Sequence, residues 1–288
     1  MEFLTRSIEE HSLIWVVISA GFGGIIGALI KFIFETVIAL RYEQSISAGK
    51  MLSRYRYPLL RTADSLDRRI ENMIRFVDRQ WYDDKKDDYY RLSTLYLFGS
   101  YLGWSKIIED AAFIEYVLSD RKARQFSKCF NRVFKALTNF GYFAHIGKNE
   151  FTELEEASVP RFALTAIGEM MIRKTPEDGD RLPELLGFVE FTKKLNESPD
   201  FQKWFHYLEA AILTDQKQSL TSARWHRLLI VASIMRAFVS YLDPKKRQTA
   251  PRQIAYLDQM NPKVAEEVVK ELKEMKMESL IVLPDQQK

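Results

Sequence analysis

The sequence predicts an all-α protein, with a single N-terminal transmembrane helix followed by a cytosolic multi-helix bundle. Three observations carry this. Leu13–Ile30 contains no charged residue, over the roughly 18-residue length at which a membrane span becomes the default reading. Beyond it, apolar residues recur at spacings of three and four, and few stretches alternate with period two. The basic residues Arg41, Lys50, Arg54, Arg56 and Arg61 follow the run, with Lys31 at its end, against Arg6 alone before it. The basic flank stays inside, so residues 1–12 face out and the large C-terminal part faces in, at the plasma (inner) membrane.

The span covers 13–40. Its competitor is a cleaved signal peptide. That would need a basic start and a small-residue cleavage site, whereas "MEFLTRSIEEHS" is acidic and "KFIFETVIALR" offers no A-x-A site. Ser7 and Glu10 fit a capping box opening the helix. Ser19, Gly23 and Gly27 form a small face through which two such helices could pack closely, which predicts self-association. Lys31 and Glu35 are one turn apart and read as an interfacial pair rather than an ion path.

Residues 41–57 read as a helical stalk and 58–260 as the helical domain, with a sub-boundary near 160, where prolines and glycine gather. Pro58 fits a first helical position ahead of the stripe Leu59, Ala63, Leu66, Ile70, Met73, Ile74 and Val77. "YDDKKDDYY" is a charged loop; its acids lack calcium-loop spacing. "LYLFGSYLGW" is apolar on more than one face, hence buried. Gly99 and Gly103 there admit either a close helix or a ligand. Tyr96, Tyr101 and Trp104 bring polar handles to that region and make it the candidate pocket.

Arg121, Lys122, Arg124, Lys128, Arg132 and Lys135 line the outer face of the next helix. They read as a solvated face, with lipid headgroups or nucleic acid as the functional alternatives. Ser198-Pro199-Asp200 reads as a helix start. "RLLIVASIMRAFV" is too short between Arg227 and Arg236 to span a bilayer and reads as the central helix of the bundle. Residues 261–288 form an amphipathic helix capped by Asn261-Pro262, then a tail that frays or docks as a strand-like piece.

Catalytic signatures are absent from the sequence. There is no phosphate loop, H-E-x-x-H or G-x-S-x-G. One cysteine, Cys129, permits no internal disulfide and sits on an apolar face as a core residue. His206 and His226 each lie near a tryptophan and read as packed residues rather than bases. No catalytic, cofactor or metal residue is assigned. The formal charge of +3 is too small to indicate nucleic acid.

"YPLLRTADSLDRRIENMI" and "LSTLYLFGSYLGWSKIIEDAAF" resemble an uncharacterised family of helical proteins carrying a Y-L-F-x-x-Y-x-G-W helix, over residues 57–118. The resemblance implies a structural signature and no activity.

The sequence therefore points to a membrane-tethered interaction or regulatory module. Its expected partners are membrane lipid, a second copy through the span, and a cytosolic protein of unspecified identity. The alternatives are a lipid- or amphiphile-binding protein or enzyme at the membrane surface and, disfavoured, nucleic-acid binding through basic helix faces.

Overall fold

The structure, a computed structural model, describes residues 39–77, 88–119, 121–146, 150–173, 183–213 and 218–282. The apolar run Leu13–Phe32, with Ser19, Gly23 and Gly27, lies outside them, as do Ser7, Lys31, Glu35 and the acids 83–87. Among the described residues no helix is long and apolar enough to cross a membrane. The chain divides into two compact units, Met1–Lys50 and Met51–Lys288.

The described architecture is all-α. Among the described residues there are eight α-helices: α1 (Ala39–Arg75), α2 (Tyr89–Ser119), α3 (Arg121–Thr138), α4 (Arg161–Met171), α5 (Phe188–Glu197), α6 (Pro199–Ile212), α7 (Ala223–Leu242) and α8 (Pro262–Met275). Short 3-10 turns follow α3 and flank α8. Pairing between extended residues is limited, among the described residues, to isolated bridges such as Thr152 with Ser222 and Ile254 with Ile281.

Helix α7 is the centre. Between Ala223 and Leu242 every residue except Tyr241 is buried. A helix apolar on all faces gains nothing from a surface position, so the others wrap it. α3 and α8 pack along α7, and α2 packs along α4. One hydrophobic core runs from Tyr55 to Met275, on both sides of residue 160.

Two helix starts follow the sequence reading. Ser198 accepts from the Phe201 amide, with Pro199 and Asp200 in the first turn of α6. Asn261 accepts from the Lys263 amide ahead of α8. Pro58 does not. It lies inside α1, which runs through it without a break. Its missing N–H leaves the carbonyl one turn earlier without a helical donor. Burial of Leu59, Leu60, Ala63 and Leu66 over the next two turns offsets that loss. The tail docks: Ile254 N–H donates to the Leu280 carbonyl at 2.8 Å and Val282 N–H to the Ile254 carbonyl at 3.2 Å.

Close helix approach accounts for the glycines of α2. A Cβ on Gly99 would meet Met171 Sδ at 3.0 Å, and one on Gly103 would meet Leu185 at 2.7 Å. The tightest crossing is at Gly168 of α4, where a Cβ would stand 2.8 Å from the Leu102 carbonyl oxygen. Backbone cannot rotate away as a side chain can. Gly168→Ala should therefore force α2 and α4 apart and cost about 1–3 kcal/mol. Thermal unfolding followed by circular dichroism should show a midpoint lower by several degrees; an unchanged midpoint would mean the two helices separate freely.

Candidate functional site

Tyr96, Tyr101 and Trp104 do not converge on one cavity. Tyr96 leaves α2 towards α5, with its ring 5.4 Å from Phe188 and 5.5 Å from Phe191, and its hydroxyl donates to the Leu186 carbonyl at 3.2 Å. Tyr101 is fully buried against Phe238 of α7, ring centres 6.2 Å apart. Trp104 is half-buried beside Tyr55, at 6.3 Å. Five residues on a helix turn by about 140°, so Tyr96 and Tyr101 address different neighbours.

A concavity to which none of these three residues contributes lies elsewhere. It has a volume of about 890 Å³ and runs between the C-terminal end of α3 and the segment leading into α4. One wall is Asn131, Phe134, Lys135 and Thr138, spaced to share a helix face, continued by Asn139 and Phe140. The other is Glu155, Ser158, Val159, Pro160 and Arg161. The lining exposes apolar surface at Phe140, which is 47% exposed; Phe162, the next residue in the chain after Arg161, is 84% exposed.

Its walls are fixed from beneath by Arg227. This side chain is completely buried yet faces no carboxylate within ion-pair distance among the described residues. Its guanidinium donates instead to backbone carbonyls: Nε to Ala157 at 2.6 Å, Nη1 to Ala136 at 2.7 Å, and both terminal nitrogens to Asn139 at 3.1 Å. The planar fork suits this, since it spreads five donors in one plane. The acceptors at Ala136 and Asn139 are orphan carbonyls at the end of α3, where the helix dipole is negative. Ala157 belongs to the opposite wall. Two further bonds close the floor, Val159 N–H to the Leu137 carbonyl at 3.0 Å and the Ser158 hydroxyl to the Thr138 carbonyl at 2.6 Å. Burial pulls the Arg227 pKa down to about 10, which still leaves it charged at neutral pH.

A second charged constellation joins α1 to α7. Asp64, Asp67 and Glu71 share a face of α1 and meet Arg236 and Arg252. Arg236 reaches Asp67 at 3.3 Å, Glu71 at 3.0 Å and the Gln253 carbonyl at 2.7 Å. Burial pushes the Asp67 carboxyl above the usual carboxylate range, against the pull of Arg236 and Arg252. The adjoining cavity, about 430 Å³, includes Glu71, Arg236, Arg252 and Tyr256.

Other singled-out residues are engaged in packing. Cys129 is buried, and burial lifts its thiol to about 11, so little thiolate forms. On α3, Arg132 pairs with Glu271 and Glu274 of α8, and Lys135 with Glu271. The basic face read from the sequence is thus partly a helix–helix seam. His226 is fully buried: Nδ1 donates to the Ser222 carbonyl at 2.8 Å, and Nε2 accepts from the Asn261 amide at 2.8 Å. His206, expected to pack, is exposed on α6. The sequence reading gave the buried arginines no role beyond bounding an apolar stretch. The signal that locates them was present: an arginine in a helix apolar all round has no outer face to occupy. Among the described residues no cluster of three His, Cys, Asp or Glu is placed to hold a metal ion.

No protein-family model, no curated protein and no solved structure matches this chain.

Replacing Arg227 with Met keeps volume but leaves three buried carbonyls without donors. The expected cost is about 3 kcal/mol or more, read as a lower urea midpoint; Arg227→Lys should recover only part, because an ammonium cannot span both walls. A midpoint unchanged in Arg227→Met would remove the guanidinium from this role. For His226, burial lowers the folded-state pKa below the ordinary 6.5. The unfolded chain therefore binds more protons below that value, and stability falls as pH drops through it. The urea midpoint should decline from pH 7.5 to 5.5, and the decline should be smaller in His226→Gln.

Proposed function

We propose that this chain is a membrane-tethered interaction module whose helical domain faces the cytosol and docks a protein partner in the groove between the end of α3 and the start of α4. The observation that carries the reading is the groove itself, about 890 Å³ in volume and lined in part by exposed Phe140. Aromatic side chains at the centre of a contact contribute most to association, and exposed apolar surface next to a concavity marks an interaction site more often than chance exposure does. Lys135 on one wall and Glu155 and Arg161 on the other supply a polar border. The buried ionisable groups His226, Arg227, Arg236 and Asp67 are committed to backbone or to one another, which fits a scaffold better than a reaction centre.

The tether rests on the uncharged run Leu13–Ile30 and the basic residues after it. Self-association through Ser19, Gly23 and Gly27 belongs to the same reading.

The test is a pull-down of full-length protein from gently solubilised membranes, read by mass spectrometry for proteins and co-purifying lipids. A stoichiometric protein should be captured, should be lost with Phe140→Asp, and should be retained with Val189→Asp, another exposed apolar position. Capture indifferent to Phe140→Asp would refute the groove. A protein-free preparation enriched in one lipid would replace the module with a lipid binder.

A further inference from the structure

At the C-terminal end of α7 the chain makes a tight loop, residues 243–249, whose shape is set by one carboxylate. Asp243 accepts from the amides of Arg247 at 3.1 Å, Gln248 at 2.8 Å and Thr249 at 2.9 Å, and from the Thr249 hydroxyl at 3.1 Å. Lys246 holds a left-handed backbone, φ 50°, and its ammonium donates to the Ser240 hydroxyl at 2.7 Å. Converging amides of this kind form an anion cradle. Here Asp243 fills it, so the loop is locked without a ligand and its acid is held ionised. Burial would raise the Asp243 pKa; the amide bonds outweigh it and bring it to about 2.

The locked loop turns Lys245 and Arg247 outward. Opposite them, α1 contributes Arg56 and exposed Tyr57, and these residues border a concavity of about 500 Å³. Tyr57 also borders a neighbouring concavity of about 340 Å³ that includes Arg61. Arg56 is occupied in part, donating to the Leu242 carbonyl at 3.1 Å. Arg61, Lys245 and Arg247 make no ion pair with a described residue. The nearby Asp64 is already paired with Arg68 and Arg252. The face therefore carries an excess of positive charge on a rigid support, its carboxylate Asp243 being held within the loop, and it exposes a tyrosine beside that charge.

We infer that this face docks on anionic phospholipid, the basic side chains meeting headgroup phosphates and Tyr57 entering the interfacial layer. Charge complementarity is the first argument: each Lys or Arg close to an anionic leaflet adds about 1 kcal/mol, roughly fivefold. The second is the amphipathic ring of Tyr57, which suits the headgroup level. The third rests on the proposed tether. Anchored through residues 13–40, the domain stays beside the bilayer, so a weak patch on it meets lipid at high local concentration. A nucleic acid or a free phosphate would meet the same charges but gain nothing from Tyr57 as an interfacial anchor.

The experiment uses the full chain carrying Gln248→Cys, labelled with an environment-sensitive fluorophore. Cys129 is buried and its thiol is held protonated, so labelling is selective. The protein is reconstituted into nanodiscs of neutral phosphatidylcholine or of phosphatidylcholine with phosphatidylserine. Expected is a blue-shifted emission in the anionic discs only, reversed by 1 M salt, where screening falls to about 3 Å. The combined variant Arg61→Gln, Lys245→Gln and Arg247→Gln should lower the docked-to-free ratio about fivefold per charge removed. Incorporation without a difference between the two discs overturns the inference and leaves the tether standing. A shift in neutral discs on adding inorganic phosphate or an RNA oligonucleotide overturns it in favour of that ligand. Failure to co-elute with either disc refutes the tether; flotation with anionic vesicles then tests the face alone, and absence of flotation, or flotation unaffected by the triple substitution, overturns it.

Discussion

A charge inside a helix that has no exposed face must find its partners in the protein; α7 buries three arginines, of which Arg224 pairs with Glu153 near the helix start and two, Arg227 and Arg236, lie further along. Arg227 solves the problem with main-chain carbonyls and Arg236 with carboxylates from α1. The rest of the domain is arranged around these solutions. The end of α3 must lie where its last carbonyls meet Arg227. The acidic face of α1 must lie against Arg236. Hydrophobic burial supplies most of the driving force in such a core, but it is indifferent to register. The two guanidiniums are not, since each requires particular oxygens at hydrogen-bond distance. They set how far along α7 its neighbours can slide.

This division of labour explains why the interior and the surface suggest different things. Inside, ionisable groups are consumed by structure: His226 bridges Ser222 to Asn261, and Glu271 takes Arg132 and Lys135. Outside, what remains unspent is of two kinds. One is apolar, around Phe140 and Phe162; the other is basic, around Tyr57. A protein with distinct apolar and cationic surfaces on one rigid body is suited to holding two different things at once.

The helical character and several boundaries were legible in the sequence because they depend on local chemistry. Ser198-Pro199 and Asn261-Pro262 start helices for reasons contained within four residues. The central position of α7 was legible too, from its all-round apolarity. Pro58 misled because a proline inside a helix looks locally the same as one that begins a helix. Only the burial of Leu59, Leu60 and Ala63 decides between them. The aromatic cluster of α2 misled for a related reason. Spacing shows that Tyr96, Tyr101 and Trp104 are close along the chain, but not which neighbour each ring meets. The groove beside Phe140 has no sequence signature, since its walls come from residues some twenty positions apart, joined by an arginine from much later in the chain.

The chain order of these partnerships bears on how the protein is made. The last bonds to α7 come late: Gln253 to Arg236, Asn261 to His226, and Leu280 pairing back to Ile254. During synthesis α7 leaves the ribosome well before α8, with a largely apolar surface and with Arg236 still lacking the Gln253 carbonyl. Domains tend to consolidate as units once their elements are available. This one cannot close its centre until residues 254–281 have emerged. The nascent chain therefore passes through an interval in which its most deeply buried helix is uncovered on one side, the interval in which a chaperone or a nearby bilayer has most influence on its fate.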